Sequence, residues 1–120
     1  MTFQNKKLGQ DSENLAAKLL QNKGYKVIAQ NLRTNRVEID ILAKDGESLV
    51  IVEVKSKTNQ KFSSALEMIT KTRQRKLILL TLELQAKYQT EKVRIDLVTV
   101  GNAGSEPIIK HHKGLVELNS

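Results

Sequence analysis

Residues 37–57 of the chain read VEIDILAKDGESLVIVEVKSK, and this stretch decides the fold. Its two halves are apolar runs rich in β-branched residues, which predicts strands over 37–43 and 49–57. The segment between them contains Asp45-Gly46, a strong signal for a tight turn. We therefore predict a β-hairpin of two largely apolar strands.

Charged residues interrupt both strands of this hairpin. Glu38 and Asp40 lie in the first strand, and Glu53 and Lys55 lie in the second. Side chains two positions apart on a strand point to the same face, so each pair shares a face. Charges inside strands this apolar need a partner or a function.

The length of the hairpin loop sets which residues face each other. A two-residue loop at Asp45-Gly46 sets Asp40 opposite Ile51, and a four-residue loop over 45–48 sets it opposite Glu53. Both registers put the acids and the lysine on one face of the sheet. A three-residue loop would separate them, because a slip of one residue turns every side chain to the other face.

Carboxylates on one face predict a metal site. Two such groups a few ångström apart repel each other unless a cation lies between them, and oxygen ligands select Mg²⁺ or Mn²⁺. Lys55 then lies where it can orient or deprotonate a water that attacks phosphorus. Glu13, at the edge of the inward face of the first helix, adds a third acid. The alternative is that all these charges form ion pairs on a solvated face.

The remaining periodic segments predict an α/β fold with a mixed five-stranded sheet flanked by helices, in the order α-β-β-β-α-β-β. A strand that follows a helix usually returns parallel to an earlier strand, so the fourth strand is expected to pair in parallel. The whole of residues 1–120 forms one domain. The predicted elements beyond the hairpin are a helix over 8–23, a strand over 25–32, helical structure over 64–88, and strands over 93–100 and 108–111.

The helical stretch 64–88 has two alternative starts. Ser64 and Glu67 match a capping box, which predicts a helix from residue 64. Thr70 offers a second cap, so the stretch is alternatively a short helix followed by a long one.

Composition narrows the function classes. The chain has no cysteine, which excludes disulfides, thiolate metal sites and cysteine nucleophiles. No apolar run approaches the ~18 residues that span a membrane, and the N-terminus lacks the apolar core of a signal peptide. We therefore expect a soluble, cytoplasmic protein without a membrane partner.

The charge favours a polyanionic partner. Twenty Lys and Arg against 13 Asp and Glu give a net charge of +7, which suits nucleic acid. Only four residues are aromatic, whereas recognition of single strands by stacking needs aromatic platforms. The composition thus favours the backbone of duplex or branched DNA.

A group of cations at the start of the long helix is the predicted DNA contact. Cations there oppose the helix dipole, and phosphates would offset that cost. The alternative is a solvated basic face. The predicted nucleic-acid-binding residues are Lys71, Arg73, Arg75 and Lys76, with Lys57 and Lys61 extending the track toward the acids.

Two further groups of polar residues are given structural interpretations. Arg94 and Asp96 share a face of the fourth strand and are predicted to form an internal ion pair. His111 and His112 are adjacent on a strand and point to opposite faces, so they are unsuited to sharing a metal. We expect both to be ordinary surface residues.

The ordered set of these residues carries a resemblance to known proteins. Asp40 followed after a hairpin by Glu53-Val54-Lys55 resembles the PD-(D/E)xK motif of the restriction-endonuclease-like superfamily. Nearly the whole chain, from Leu8-Gly9 to Arg94-Ile95-Asp96, resembles the YraN-like family, also called UPF0102, of predicted endonucleases related to archaeal Holliday-junction resolvases. The departure is Val37, where that family usually has glycine before its Glu-Ile-Asp string.

The resemblance implies a restriction-endonuclease-like core and a role for each residue of the site. Asp40 and Glu53 would be metal ligands, Lys55 the catalytic lysine, and Glu13 the acid that the first helix adds to the same site. The expected activity is hydrolysis of DNA with Mg²⁺ or Mn²⁺, on branched or damaged DNA among other substrates. The alternatives are a non-catalytic DNA-binding module of the same fold and a structural protein whose acids are surface pairs. Nuclease domains of this size often pair to cut both strands, so a homodimer stays open beside a monomer.

Overall fold

The computed structural model describes residues 3–56, 64–103 and 106–118, and it has the predicted order of elements. The five strands form one sheet in the order β1-β2-β3-β4-β5. β3 and β4 are parallel and all other neighbours are antiparallel, which confirms the mixed sheet. The elements are α1 (Phe3–Asn22), β1 (Lys26–Arg33), β2 (Glu38–Asp45), β3 (Ser48–Ser56), α2 (Lys71–Tyr88), β4 (Val93–Ala103) and β5 (Glu106–Leu118).

The sheet separates two apolar cores, one under each helix. Val50 and Val52 of β3 pack with Leu20 of α1, whereas Leu49 and Ile51 pack with the α2 side. Because both faces of β3 are covered, the strand is apolar at consecutive positions instead of alternating. Each fully buried Leu or Ile contributes about 1.5–3 kcal/mol, so both helices are fixed to the sheet by these contacts.

The hairpin between β2 and β3 combines features of the two predicted loops. Its loop has two residues, but it lies one position later than predicted, at Gly46-Glu47, with Asp45 paired to Ser48. Gly46 has a φ of +60°, the left-handed conformation that a two-residue hairpin needs at its first loop position. The resulting register is the one expected for the four-residue loop.

The segment before α2 follows the second of the two predicted alternatives. Leu66–Met68 forms a single 3₁₀ turn that starts after Ala65, so the prediction of a helix capped by Ser64 is wrong. Ile69 is extended and buried in the α2-side core, and this change of backbone direction ends the turn. Thr70 then caps α2, its hydroxyl accepting a hydrogen bond from the Arg73 amide at 3.2 Å.

β5 is much longer than the predicted strand over 108–111. It is 13 residues long, and ten of them pair with β4, with a register shift between Ile95 and Leu97. Gly114, which lies beyond the predicted strand, has a φ of +70° and lies inside β5. No helix within the described ranges has the length and apolar character needed to cross a membrane.

Candidate functional site

The register of the hairpin brings Asp40 and Glu53 together. The recorded pairs run from Asp45–Ser48 to Ile41–Val52, so Asp40 and Glu53 are the next positions on the two strands. The Val54 amide donates a hydrogen bond to Asp40 Oδ2 at 2.8 Å, which holds the Asp40 carboxylate against β3. Glu53 is only 1% exposed. Two strand positions thus place one half-buried and one fully buried carboxylate side by side.

These carboxylates line a cleft of about 330 Å³ that is open to solvent. Lys55 lies two positions beyond Glu53 on β3 and also lines the cleft, where it is half-buried. The predicted grouping of Asp40, Glu53 and Lys55 on one side of the hairpin is therefore present. Glu38 lies at the rim of the cleft and makes a long ion pair with Arg33, 3.7 Å between Arg33 Nη2 and Glu38 Oε2.

Arg73, from the first turn of α2, reaches into the same cleft. Its Nε donates to Glu53 Oε2 at 2.5 Å and its Nη2 donates to Glu53 Oε1 at 2.7 Å. The same Nη2 donates to the Glu38 carbonyl oxygen at 2.6 Å. The hydrogen bonds to Glu53 raise the pKa of Arg73 above its ordinary value. Arg73 is thus the counter-cation of the buried glutamate, a contact that its position among other surface cations did not indicate.

Glu13 is the buried acid of α1 and has an unsatisfied oxygen. The residue is 6% exposed, and its Oε1 lacks a hydrogen-bond partner among the described residues. Burial, together with the Asp40 charge, raises the pKa of Glu13 to about 7. A buried acceptor without a donor costs free energy, so this oxygen is suited to a cation or a water.

The pKa of Asp40 is also raised above its ordinary value. Burial raises its pKa to about 6, the hydrogen bond from the Val54 amide opposes that shift, and the Glu53 charge adds to it. Such carboxylates would be stabilised in the ionised form by a nearby positive charge. Arg73 supplies that charge directly to Glu53, whereas Glu13 Oε1 has no hydrogen-bonded cation among the described residues.

The carboxylate oxygens of these acids are the ligand type that a hard divalent cation prefers, but the acids are not arranged around a single point. Carboxylate oxygens are the ligands that Mg²⁺ and Mn²⁺ prefer, and an orphaned Glu13 oxygen and raised pKa values favour a cation. However, the part of the chain that the structure describes has no group of three His, Asp or Glu side chains arranged to hold a metal. Asp40 and Glu53 line the cleft and would hold the cation once Glu53 is free of Arg73. Glu13 does not line the cleft, but its pKa responds to the Asp40 charge, and it would be the third ligand.

Replacing Asp40 by Asn is expected to stabilise the metal-free protein at pH 8 by about 1–2 kcal/mol. The folded-state pKa of about 6 lies above the ordinary 3.8, so the folded protein loses stability as pH rises from about 4 through 6. Asn keeps the acceptor for the Val54 amide and never ionises. One pKa unit corresponds to about 1.4 kcal/mol, and partial exposure reduces the full effect.

Urea unfolding in EDTA at pH 8 and pH 4 measures this effect. The gain is expected at pH 8 and is expected to shrink as pH falls toward 4. The control is Asp11→Asn, which changes an exposed acid of α1 and is expected to leave stability unchanged at both pH values. A loss of stability in D40N at pH 8 would contradict the destabilising role of the charge.

The predicted DNA-contacting residues fall into three groups. Lys71, Arg75 and Lys76 are exposed on the first turns of α2, the helix from which Arg73 reaches the cleft. Arg73 is half-buried and turned toward Glu53. Lys57 and Lys61 lie outside the described residues. The exposed cations and the acid cleft therefore share the N-terminal end of α2.

A second polar cluster is centred on Asp96 of β4, which is fully buried and pairs with Val52 of β3. Its Oδ1 accepts from Arg94 Nε at 3.0 Å and from the Gly114 amide at 2.9 Å. Its Oδ2 contacts His111 Nε2 at 2.8 Å and accepts from the Tyr25 hydroxyl at 3.2 Å. Both oxygens are satisfied by groups from several elements, so we interpret the cluster as structural.

This cluster confirms one expectation and overturns another. The internal Arg94–Asp96 ion pair is present. The prediction that His111 is an ordinary surface residue is wrong, because its side chain is 3% exposed and bonded to Asp96. Burial, together with the Asp96 charge, raises the pKa of Tyr25 to about 12, so its hydroxyl stays protonated and can donate.

The chain matches one family over most of its length. Residues 12–100 match the model of the uncharacterised protein family UPF0102, a range that includes Glu13, Asp40, Glu53 and Lys55. A UPF0102 protein of Geobacter metallireducens is 33% identical over 120 residues, covering 98% of this chain and 98% of the relative. One from Thermodesulfovibrio yellowstonii is 39% identical over 102 residues (84% and 91%), and one from Renibacterium salmoninarum is 38% identical over 112 residues (90% and 94%). On the family match and on these relatives, the chain belongs to UPF0102.

Proposed function

We propose that this protein is a DNA endonuclease with a restriction-endonuclease-like core that hydrolyses phosphodiester bonds with Mg²⁺ or Mn²⁺. The observation that carries the proposal is the placement of Asp40 and Glu53 at adjacent positions of β2 and β3, with Lys55 in the same cleft. The unsatisfied buried oxygen of Glu13 supports it independently. A cation beside Glu13 would supply the partner that this oxygen lacks among the described residues.

Each side chain has a distinct task in this mechanism. Asp40, Glu53 and Glu13 would hold the cation, which when bound stabilises the charge that develops on the phosphate. Val54 keeps the Asp40 carboxylate in place through its amide. Lys55 Nζ hydrogen-bonds the attacking water and, when neutral, accepts its proton. One water is consumed: its hydroxyl oxygen bonds to phosphorus, the ester bond breaks, and the leaving oxygen takes up a proton from solvent.

The charge distribution supports DNA as the substrate. Lys71, Arg75 and Lys76 are exposed on the first turns of α2, the helix from which Arg73 reaches the cleft, and they would neutralise phosphates of the bound DNA. The scarcity of aromatic residues argues against a single-strand stacking surface. Duplex and branched DNA are therefore the preferred substrate classes.

A labelled panel of single-stranded, duplex, flap and four-way-junction DNA tests the proposal. With Mg²⁺ or Mn²⁺ we expect cleavage of a duplex or branched member, and with EDTA we expect binding without cleavage. Asp40→Asn is the matched control, since it keeps the hydrogen bond from Val54 and removes one ligand charge. It is expected to bind DNA and to leave it intact.

The ion pair between Arg73 and Glu53 favours a second candidate, a DNA-binding module without catalysis. In such a module Arg73 permanently satisfies Glu53, and the exposed cations of α2 bind DNA. Saturable binding without cleavage under either metal would replace the nuclease proposal by this one. Absence of binding at low salt would exclude both.

A further inference from the structure

We propose that Arg73 is a two-position residue: it occupies the cation side of Glu53 in the metal-free protein, and a bound divalent cation releases it to a DNA phosphate. The inference rests on the proposed function, because it concerns the same acids. Neither the fold nor membership in UPF0102 indicates this role for Arg73.

The first step is the geometry of the pair. Arg73 offers two nitrogens to the two oxygens of Glu53, at 2.5 and 2.7 Å, so both carboxylate oxygens are engaged. Bidentate pairs of this kind are among the strongest hydrogen bonds in proteins. A metal that uses Glu53 must displace at least one of them. This explains why an acid-rich cleft presents no ready-made group of metal ligands among the described residues.

The second step is that Arg73 provides one positive charge for three acids, Glu53, Glu13 and Asp40. Glu53 is satisfied by Arg73, but the buried Oε1 of Glu13 has no donor among the described residues, and Asp40 is bonded to the Val54 amide and to Glu53, neither of which carries a positive charge. One guanidinium therefore does not replace a cation that all three acids could share. Binding of such a cation would gain contacts to Glu13 and Asp40 that offset the loss of the Arg73–Glu53 bonds.

The third step is where the displaced guanidinium can go. The Arg73 side chain is 27% exposed, and it leaves α2 among the exposed Lys71, Arg75 and Lys76. Its planar fork of donors matches phosphate as well as carboxylate. The released residue thus joins the basic surface at the edge of the cleft, next to the bond to be cut. Cation binding and DNA binding become mutually supportive through one side chain.

Direct titration of Mn²⁺ into the DNA-free protein, by calorimetry or electron paramagnetic resonance, tests the competition. Arg73→Gln can still hydrogen-bond the Glu38 carbonyl but has no charge, and it is expected to bind Mn²⁺ about 10- to 100-fold more tightly than the wild type. Arg73→Lys keeps the charge and is expected to stay close to the wild type. Arg75→Gln removes an exposed charge from the same helix and is expected to change the Kd by less than about threefold.

Several outcomes are informative. If R73Q binds Mn²⁺ no more tightly than the wild type, Arg73 does not compete and the inference is wrong, while the nuclease proposal stands. If no variant binds Mn²⁺ at millimolar concentration, the metal site itself fails and the proposed function fails with it. If R73Q is unstable without metal, its Tm should rise more on addition of Mn²⁺ than the Tm of R75Q; an equal rise overturns the inference.

DNA affinity provides the second readout. With a labelled duplex, R73Q is expected to weaken binding at least about threefold more in Ca²⁺ than in EDTA, because Arg73 reaches phosphate only after a hard cation has taken Glu53. R75Q removes the same charge and is expected to weaken binding equally in both. An equal loss for R73Q in Ca²⁺ and EDTA would show that Arg73 is not released to the DNA.

Discussion

Replacing Asp96 by Ala is expected to lower the free energy of unfolding by about 3–5 kcal/mol, the cost of breaking a buried ion pair by removing one partner. Asp96 is fully buried, and its loss leaves the Arg94 guanidinium, only 7% exposed, with the half-buried Asp45 as its remaining ion-pair partner among the described residues. Tyr25, His111 and the Gly114 amide lose an acceptor at the same time. The Tm is expected to fall on the order of 10–25 °C.

Asp96→Asn distinguishes the lost charge from the lost acceptors. Both carboxylate oxygens face donors, since Oδ1 meets Arg94 Nε and the Gly114 amide, and Oδ2 meets Tyr25 and His111. Whichever way the Asn side chain turns, its amide nitrogen points at donors. D96N is therefore expected to be nearly as unstable as D96A. A D96N protein of wild-type stability would contradict this account of the cluster.

Glu47→Ala is the control, and pH is the independent check. Glu47 makes a 3.6 Å surface pair with Lys92 and its side chain is 88% exposed, so its removal is expected to cost less than about 1 kcal/mol. Burial acts to raise the pKa of Asp96, but hydrogen bonds from His111, Arg94 and the Gly114 amide hold it below its usual range. Its stabilising effect is thus complete above about pH 4 and is lost as pH falls further, where D96A and the wild type should converge.

Replacing Lys55 by Met is expected to slow DNA cleavage by about 10²- to 10⁴-fold, the usual contribution of a positioned proton-transfer group. Met keeps the aliphatic stem of the half-buried Lys55 and removes its amine. Binding of DNA and folding are expected to change little, because the acids and the basic surface of α2 are untouched. The measurement is single-turnover cleavage with Mg²⁺ or Mn²⁺, alongside DNA affinity in EDTA.

Two variants sharpen this test. Lys44→Met removes an exposed lysine from β2, outside the cleft residues, and is expected to leave the rate unchanged. Lys55→Arg keeps the charge, but its guanidinium stays protonated. A slow K55R indicates proton transfer by Lys55, whereas a wild-type rate in K55R would reduce its role to electrostatics. A K55M protein as fast as the wild type would remove Lys55 from the mechanism.

The sequence predicts the fold well where local chemistry and burial agree. The apolar runs of β2 and β3, the Asp-Gly turn and the helix cap at Thr70 each follow from short-range preferences that the tertiary structure keeps. The register of Asp40 with Glu53 was also among the predicted alternatives. The exact loop was wrong by one residue, because Gly46 takes the first loop position, the one with positive φ in a type II′ turn, and Asp45 is left to pair with Ser48.

The errors arise at positions whose structure is set by contacts between residues far apart in the sequence. The fifth strand was predicted to end at residue 111, yet β5 continues through Gly114, whose amide donates a hydrogen bond to Asp96. His111 looks like a surface residue, but Asp96 and Lys23 from other elements surround it. Arg73 is indistinguishable from its basic neighbours until α2 is placed beside Glu53. A single sequence does not encode these pairings in any local pattern.

The parallel pairing of β3 with β4 has a consequence for how the chain folds. Every recorded pair between these strands, from Leu49–Val93 to Ser56–Val100, joins residues 44 positions apart. Closing so long a loop costs entropy before any contact compensates for it, and such pairings slow folding. The β2–β3 hairpin is local and can form early, but Glu53 becomes enclosed only when α2 and β4 arrive. We therefore expect the Asp40–Glu53 pair to exist in the folding transition state before Glu53 is shielded from water.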